Sequence, residues 1–166
     1  LAVDTPLAET MEKEELAAIK YKGPLYFDLD DSESPASTAV HTLKLVNKLE
    51  ELGVLPAMMR IYASGGKGFH ITIPEDCFLT KPPKGGLPLL PAIFKEMAFQ
   101  LAVPSLDLRV YTARKGRMFR QKNVLRPNGR YKIPLNMFNL ELIAEVAQRS
   151  SAEAEELYKH LCSEPA

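Results

Sequence analysis

Leu25, Phe27 and Leu29 alternate with Tyr26, Asp28 and Asp30. In an extended chain every second side chain shares a face, so this pattern predicts a strand over residues 24–30, with the apolar trio turned to a core and both aspartates turned away from it. The period then changes. Ser34 suits a helix cap and Pro35 the first helical position, while Val40, Leu43, Val46, Leu49 and Leu52 recur at helical spacing up to Gly53. Residues 57–63 and 69–74 return to alternation around Ser64-Gly65-Gly66-Lys67-Gly68, which predicts an antiparallel hairpin. Its second strand would point Phe69, Ile71 and Ile73 at the core and His70 and Thr72 the other way.

Elsewhere the pattern predicts helices over residues 9–20, 90–101, 140–148 and 152–161, and short strands over 106–111, 117–121 and 130–135. Residues 80–91, rich in proline, glycine and lysine, read as a surface loop. The sum is an α/β fold with a mixed, largely antiparallel sheet. With 166 residues, 46% of them hydrophobic, the chain is long enough for one substantial core, so residues 1–166 are read as a single domain. Because it begins at Leu1 rather than methionine, the expectation is a fragment of a longer protein. No apolar run approaches a membrane span, so no membrane partner is expected. Cys77 and Cys162 form no CxxC pair, and the three scattered histidines make no zinc cluster.

Zero net charge conceals a segregation. Between residues 108 and 132 lie nine of the 21 basic residues and none of the 21 acidic ones: Arg109, Arg114, Lys115, Arg117, Arg120, Lys122, Arg126, Arg130 and Lys132. Charge divided this way favours a polyanionic partner. Asp28 and Asp30, one residue apart on one strand face, crowd negative charge unless a cation sits between them, and hard oxygen donors suit magnesium or manganese. The glycine hairpin lacks the spacing of a nucleotide-binding P-loop and opens no helix. It reads either as a plain structural turn or as an anion grip, with Ser64 offering a hydroxyl, Lys67 a mobile charge and His70 an imidazole.

On these residues the chain resembles the catalytic core of the archaeo-eukaryotic primase superfamily, the primase-polymerases. That family carries a strand ending in two aspartates one apart, a serine and histidine motif on a hairpin, and an apolar-Asp motif leading into a basic strand. Here the three stand in order at residues 25–30, 64–70 and 106–107, the last followed by Val110-Tyr111-Thr112 and Arg117-Met118-Phe119-Arg120, so the likeness spans residues 25 to about 135.

The resemblance implies an amino-terminal α/β unit packed on an RRM-like module, and a DNA primase or polymerase transferring nucleotides from NTPs or dNTPs to a primer or initiating nucleotide. Asp28, Asp30 and Asp107 would be the catalytic ligands of two Mg2+ or Mn2+ ions. Ser64, Lys67, His70, Arg120 and Arg130 would hold the triphosphate. Arg114, Lys115, Arg117 and Lys122 would meet the DNA template and primer, independently of sequence. Tyr26 or Tyr111 would stack on a base, sense the sugar, or simply pack. A replicative helicase domain elsewhere in the full-length protein and a cytoplasmic location are further expectations.

Two departures matter. Gly66 stands where small-subunit primases often carry a basic residue, and no zinc module is present, so a core that extends primers better than it starts them is expected. Two other readings stand beside this one. Asp28-Leu29-Asp30-Asp31-Ser32 also resembles the nucleophile motif of haloacid-dehalogenase phosphatases, but that chemistry wants a later lysine and a further acidic pair on strand ends, and Glu75-Asp76 follows a strand that reads as antiparallel, so the fit is poor. A sheet with a basic edge could instead bind single-stranded nucleic acid without catalysis.

Overall fold

The computed structural model describes residues 2–3, 13–30, 34–79, 84–112 and 120–166. In chain order the regular elements are β1 (Ala2–Val3), α1 (Lys13–Ala18), β2 (Tyr21–Lys22), β3 (Leu25–Leu29), α2 (Pro35–Glu51), β4 (Arg60–Ala63), β5 (Phe69–Ile73), α3 (Leu90–Leu101), β6 (Ile133–Leu135), α4 (Met137–Arg149) and α5 (Ser151–Leu161). Strands β1 and β2 form a small antiparallel ladder of their own. The main sheet has four strands in the order β3-β5-β4-β6, and every neighbouring pair is antiparallel.

Alternation along β3 survives as expected: Leu25, Phe27 and Leu29 are fully buried, while Tyr26 and Asp28 are partly exposed on the opposite face. Phe69, Ile71, Ile73, Ile61, Ala63, Ile133 and Leu135 extend the same buried face across the sheet. Helix α2 covers it at β3 and β5 and packs on α4, which packs in turn on α5. From α5, Tyr158 meets Phe69 edge to face at 5.3 Å between ring centroids. Helix α3 lies against β2, β3 and the turn at Leu108–Tyr111, and Phe94 on it reaches Tyr26. The two faces of the sheet are therefore unlike. One is sealed by α2, α4 and α5; the other carries polar side chains.

Helix starts follow their local chemistry. Ser34 caps α2 with Pro35 at its first position, Asn136 caps α4 by accepting from the Asn139 N–H at 2.8 Å, and Ser150 caps α5. The buried stripe of α2 differs from the expected one. It runs through Ala36, Thr38, Ala39, Thr42, Leu45, Val46 and Leu49, whereas Val40 and Leu43 are half-buried and Leu52 is exposed. Thr38 and Thr42 can be buried because their hydroxyls donate to the carbonyls of Ser34 and Thr38, at 3.0 and 2.7 Å.

Three expected strands need correction. Residues 106–111 are not a strand: Leu106 makes one bridge to Leu29, and Leu108–Tyr111 winds into a 3-10 turn. The cause is Asp107, whose carboxylate accepts the Arg109 N–H at 3.0 Å and curls the chain. Residues 120–121 carry no strand, and 117–119 lie outside the described residues. The last strand shortens to β6, since Tyr131 instead bridges Leu125 and donates its N–H to Cys162. Residues 57–59 likewise belong mainly to a 3-10 turn at Pro56–Met58. Among the described residues no helix is long and apolar enough to cross a membrane.

Candidate active site on the open face of the sheet

Strand β3 is flanked on both sides near its carboxyl end. On one side Asp28 faces His70 of β5, which faces Tyr62 of β4, so the three lie in a row across the open face. His70 Nε2 is 3.3 Å from Asp28 Oδ1. On the other side, the Asp107 N–H donates to the Asp28 carbonyl and the Asp30 N–H to the Ser105 carbonyl, both at 2.8 Å. Two aspartates 79 positions apart in the chain thus stand at neighbouring backbone positions, with Asp30 exposed just beyond.

The turn that delivers Asp107 is held from α2. Ser105 adopts a left-handed backbone (φ 73°), and its hydroxyl lies 2.6 Å from Nδ1 of His41. His41 is half-buried and anchors this turn. The Asp107 carboxylate is bound twice by Arg109, Oδ1 to Nε at 2.8 Å and Oδ2 to Nη2 at 3.1 Å. Those hydrogen bonds, then the Asp107 charge and more weakly the charges of Asp28 and Asp30, push the Arg109 guanidinium further toward its charged form. One cation therefore senses all three carboxylates.

Tyr26 and Tyr111 stack on one another, with ring centroids 5.4 Å apart and planes 13° from parallel, and the Tyr111 hydroxyl donates to the Tyr26 carbonyl. Burial raises the pKa of both phenols, and for Tyr111 the neighbouring Tyr26, Asp28 and Asp107 add to the rise. The pair packs together as a neutral wall beside the aspartates. Across the row, Lys132 is buried at 6% exposure with Nζ 4.7 Å from the centroid of the Tyr62 ring. Burial pushes its pKa down to about 8, against the opposing pull of Asp28.

The glycine loop joins β4 to β5 at the end of the sheet nearest Asp30. Gly68 passes so close to β3 that a Cβ there would lie 2.0 Å from the Leu29 carbonyl oxygen. Gly65 holds φ 80°, a conformation other residues rarely adopt. Ser64 turns its hydroxyl inward, accepting the N–H groups of Gly66 at 3.3 Å and Gly68 at 3.2 Å and meeting Tyr158 Oη at 3.3 Å. The loop carbonyls are held from outside: Ser64 by Arg126 at 2.7 Å, Gly65 by Asn128 at 2.8 Å, Gly66 by Arg130 at 3.2 Å and Gly68 by Tyr158 at 2.7 Å. Lys67 is exposed at the tip.

Of the expected site residues, the structure brings together Asp28, Asp107 and His70, keeps Asp30 adjacent, and gathers Ser64, Lys67 and Arg130 on the loop. Arg120 and Lys122 are exposed and make no hydrogen bond or ion pair with the aspartates or the loop. Arg114, Lys115 and Arg117 lie outside the described residues. Sequence reasoning missed Tyr158, Asn128 and the site contacts of Arg109, Arg126 and Lys132. For Arg109 the signal was its place two residues after an aspartate; a helical Tyr158 gave none.

The fit of a divalent cation follows from the donors. Asp28, Asp30 and Asp107 supply hard carboxylate oxygens, and Asp107 already holds one cation in Arg109. The chemistry fits, although among the described residues no three His, Cys, Asp or Glu side chains are drawn around a single point. Along the same face, two residues from the row, a cleft of about 620 Å³ is lined by Arg60, Thr72, Glu75 and Asp76 with Gly23 and Pro24. No family model, curated protein or solved structure matches the chain.

Proposed function

We propose that this chain is the catalytic core of a DNA primase-polymerase, adding nucleotides from NTPs or dNTPs to a primer or initiating nucleotide under the direction of a template. The observation that carries the reading is the backbone pairing of Asp107 with Asp28 beside the row that leads through His70. Asp28 and Asp107, 79 positions apart, would have no reason to be paired on the polar face of the sheet, with Asp30 just past β3, if each served only the core. The finer architecture belongs to the same proposal: an amino-terminal α/β unit packed on an RRM-like module, with the cleft between them.

In this reading Asp28, Asp30 and Asp107 hold two Mg2+ or Mn2+ ions, which supply charge stabilisation at the attacking 3'-hydroxyl and the departing pyrophosphate. Arg109, which binds the Asp107 carboxylate here, would have to share that carboxylate with a bound ion. Lys67, His70 and Arg130 bind the phosphates, with Asp28 fixing the imidazole of His70, and Ser64 keeps the loop amides in place. Arg120 adds a further guanidinium to the triphosphate. The template and primer backbone meet Arg114, Lys115, Arg117 and Lys122, and a replicative helicase domain in the longer protein would supply the single strand.

The phosphatase alternative loses ground on geometry. Its second acidic pair, Glu75 and Asp76, follows β5, and β5 runs antiparallel to β3, which puts the pair at the opposite end of the sheet from Asp28 and Asp30. Glu75 instead accepts the Gly23 N–H at 3.1 Å.

The test is extension of a labelled primer on a DNA template with Mn2+ or Mg2+ and either ribo- or deoxyribonucleoside triphosphates. Asp28→Ala, Asp30→Ala and Asp107→Ala should each reduce extension by about 10²-fold or more with the circular dichroism spectrum unchanged. Persistent extension in any of the three removes that residue from the proposed metal site. Phosphate release from small monoesters without polymer synthesis would favour the phosphatase instead.

A further inference from the structure

Four of the five loop positions between β4 and β5 have their carbonyls tied by side chains from other parts of the chain, and two of those side chains are guanidinium groups. The fastening reaches both ends of the loop through one atom. Tyr158 Oη donates to the Gly68 carbonyl at 2.7 Å and accepts the Gly65 N–H at 3.2 Å. Tyr158 is fully buried on α5. A tyrosine hydroxyl is both donor and acceptor, so it can bind an N–H and a carbonyl at once, and phenylalanine can do neither. Asn128 works from the other side: its amide nitrogen donates to the Gly65 carbonyl, and its Oδ1 accepts the Arg130 N–H at 3.1 Å.

A glycine-rich loop has much conformational freedom to lose when a ligand orders it. Fixing the loop beforehand removes that cost from binding. Tying its carbonyl oxygens to donors also engages their negative partial charge, and the guanidinium groups of Arg126 and Arg130 add positive potential beside the loop. Both effects favour an anion.

We propose that Tyr158 and Asn128 are positioning residues which hold the loop of residues 64–68 in its anion-receiving shape, so that affinity for a nucleoside triphosphate is set from behind the loop. This inference rests on the nucleotidyl-transfer reading of the site. Neither residue touches the nucleotide; each acts through the loop backbone.

The experiment uses the 166-residue chain with Tyr158→Phe, which keeps the ring against Phe69, and separately with Asn128→Ala. Amide hydrogen exchange at Gly65, Gly66 and Gly68 reports the loop, and a fluorescent ATP analogue with Mg2+ reports the ligand. In each variant exchange at these amides should quicken about tenfold, with the melting temperature shifted by only a few degrees. The Kd for the analogue should rise about tenfold, equivalent to ~1.4 kcal/mol, while extension at saturating nucleotide stays near the parent rate. Variants that bind the analogue as tightly as a parent that binds it measurably overturn the clamp and leave the nucleotidyl-transfer reading standing. A parent chain that binds no analogue overturns that reading and, with it, the ligand assigned here, whatever the exchange rates.

Discussion

Lys132 is a buried cation on a face otherwise marked by acids, and its protonation links the site to stability. Its folded pKa, about 8, lies below the ordinary value of 10.5. Between those values the unfolded chain holds a proton that the folded chain has released, so this residue makes stability rise with pH through the window. Below pH 8 both states are protonated and the whole cost of burying the charge stands. Lys132→Met should therefore raise the melting temperature at pH 7 by a few degrees, with the advantage shrinking as pH climbs from 8 toward 10. Burial lifts the Cys162 thiol to about 11 and works in the opposite sense, since the folded chain then keeps a proton that the unfolded one loses. That contribution is common to both proteins and cancels in the difference. Urea or thermal unfolding of the pair at pH 7, 8, 9 and 9.5 measures it; a difference that stays flat with pH would dismiss Lys132 as a costly buried charge.

At the level of elements, the tightest approach among the described glycines lies where the glycine loop enters β5 against the end of β3. An alanine at Gly68 would press its Cβ onto the Leu29 carbonyl, which belongs to backbone and cannot step aside, whereas a Cβ at Gly85 meets nothing within 4 Å. Gly68→Ala should lower stability by about 3 kcal/mol or more, and Gly85→Ala should stay within about 0.5 kcal/mol of the parent, as read from urea midpoints. Equal midpoints would mean that β3 and β5 can separate locally at little cost. The same elements show how far pattern alone reaches. Alternation located β3, β4 and β5 because apolar side chains at every second position turn to one buried face, and Leu90–Leu101 was legible to the residue. The face of α2 was misjudged because Thr38 and Thr42 satisfy their hydroxyls within the helix and can be buried like alanines. The turn at Asp107 was misread as strand because its cause is a side chain bonding to backbone two residues on, which leaves no mark on hydrophobic period. Asp28, Asp30 and Asp107 could be proposed as a group only through motif order. Their adjacency depends on a bridge between Leu29 and Leu106 that no local pattern encodes.

Across the whole molecule, the basic stretch of residues 108–132 divides into two populations. Arg109, itself exposed, binds Asp107, Arg126 and Arg130 bind loop carbonyls, and Lys132 lies over Tyr62, so four of the nine cations are engaged by groups of the site. Lys122 is exposed and, with Arg114, Lys115 and Arg117, makes up the set proposed for nucleic acid, while the exposed Arg120 is proposed for the triphosphate. This division has a measurable consequence for the proposed partner. Each phosphate neutralised on a single strand contributes about −0.7 to the slope of log K against log salt, so four contacts give a slope of roughly −2.8 and nine give about −6. Anisotropy of a labelled DNA oligonucleotide, titrated between about 50 and 300 mM salt, should return the smaller slope, and Lys122→Ala should reduce its magnitude by about 0.7. A slope near −6 would mean that the cations engaged by the site also reach phosphate, and the separation of loop-holding from strand-holding charge would then be untenable. A slope unaltered by Lys122→Ala would move the nucleic-acid surface off Lys122.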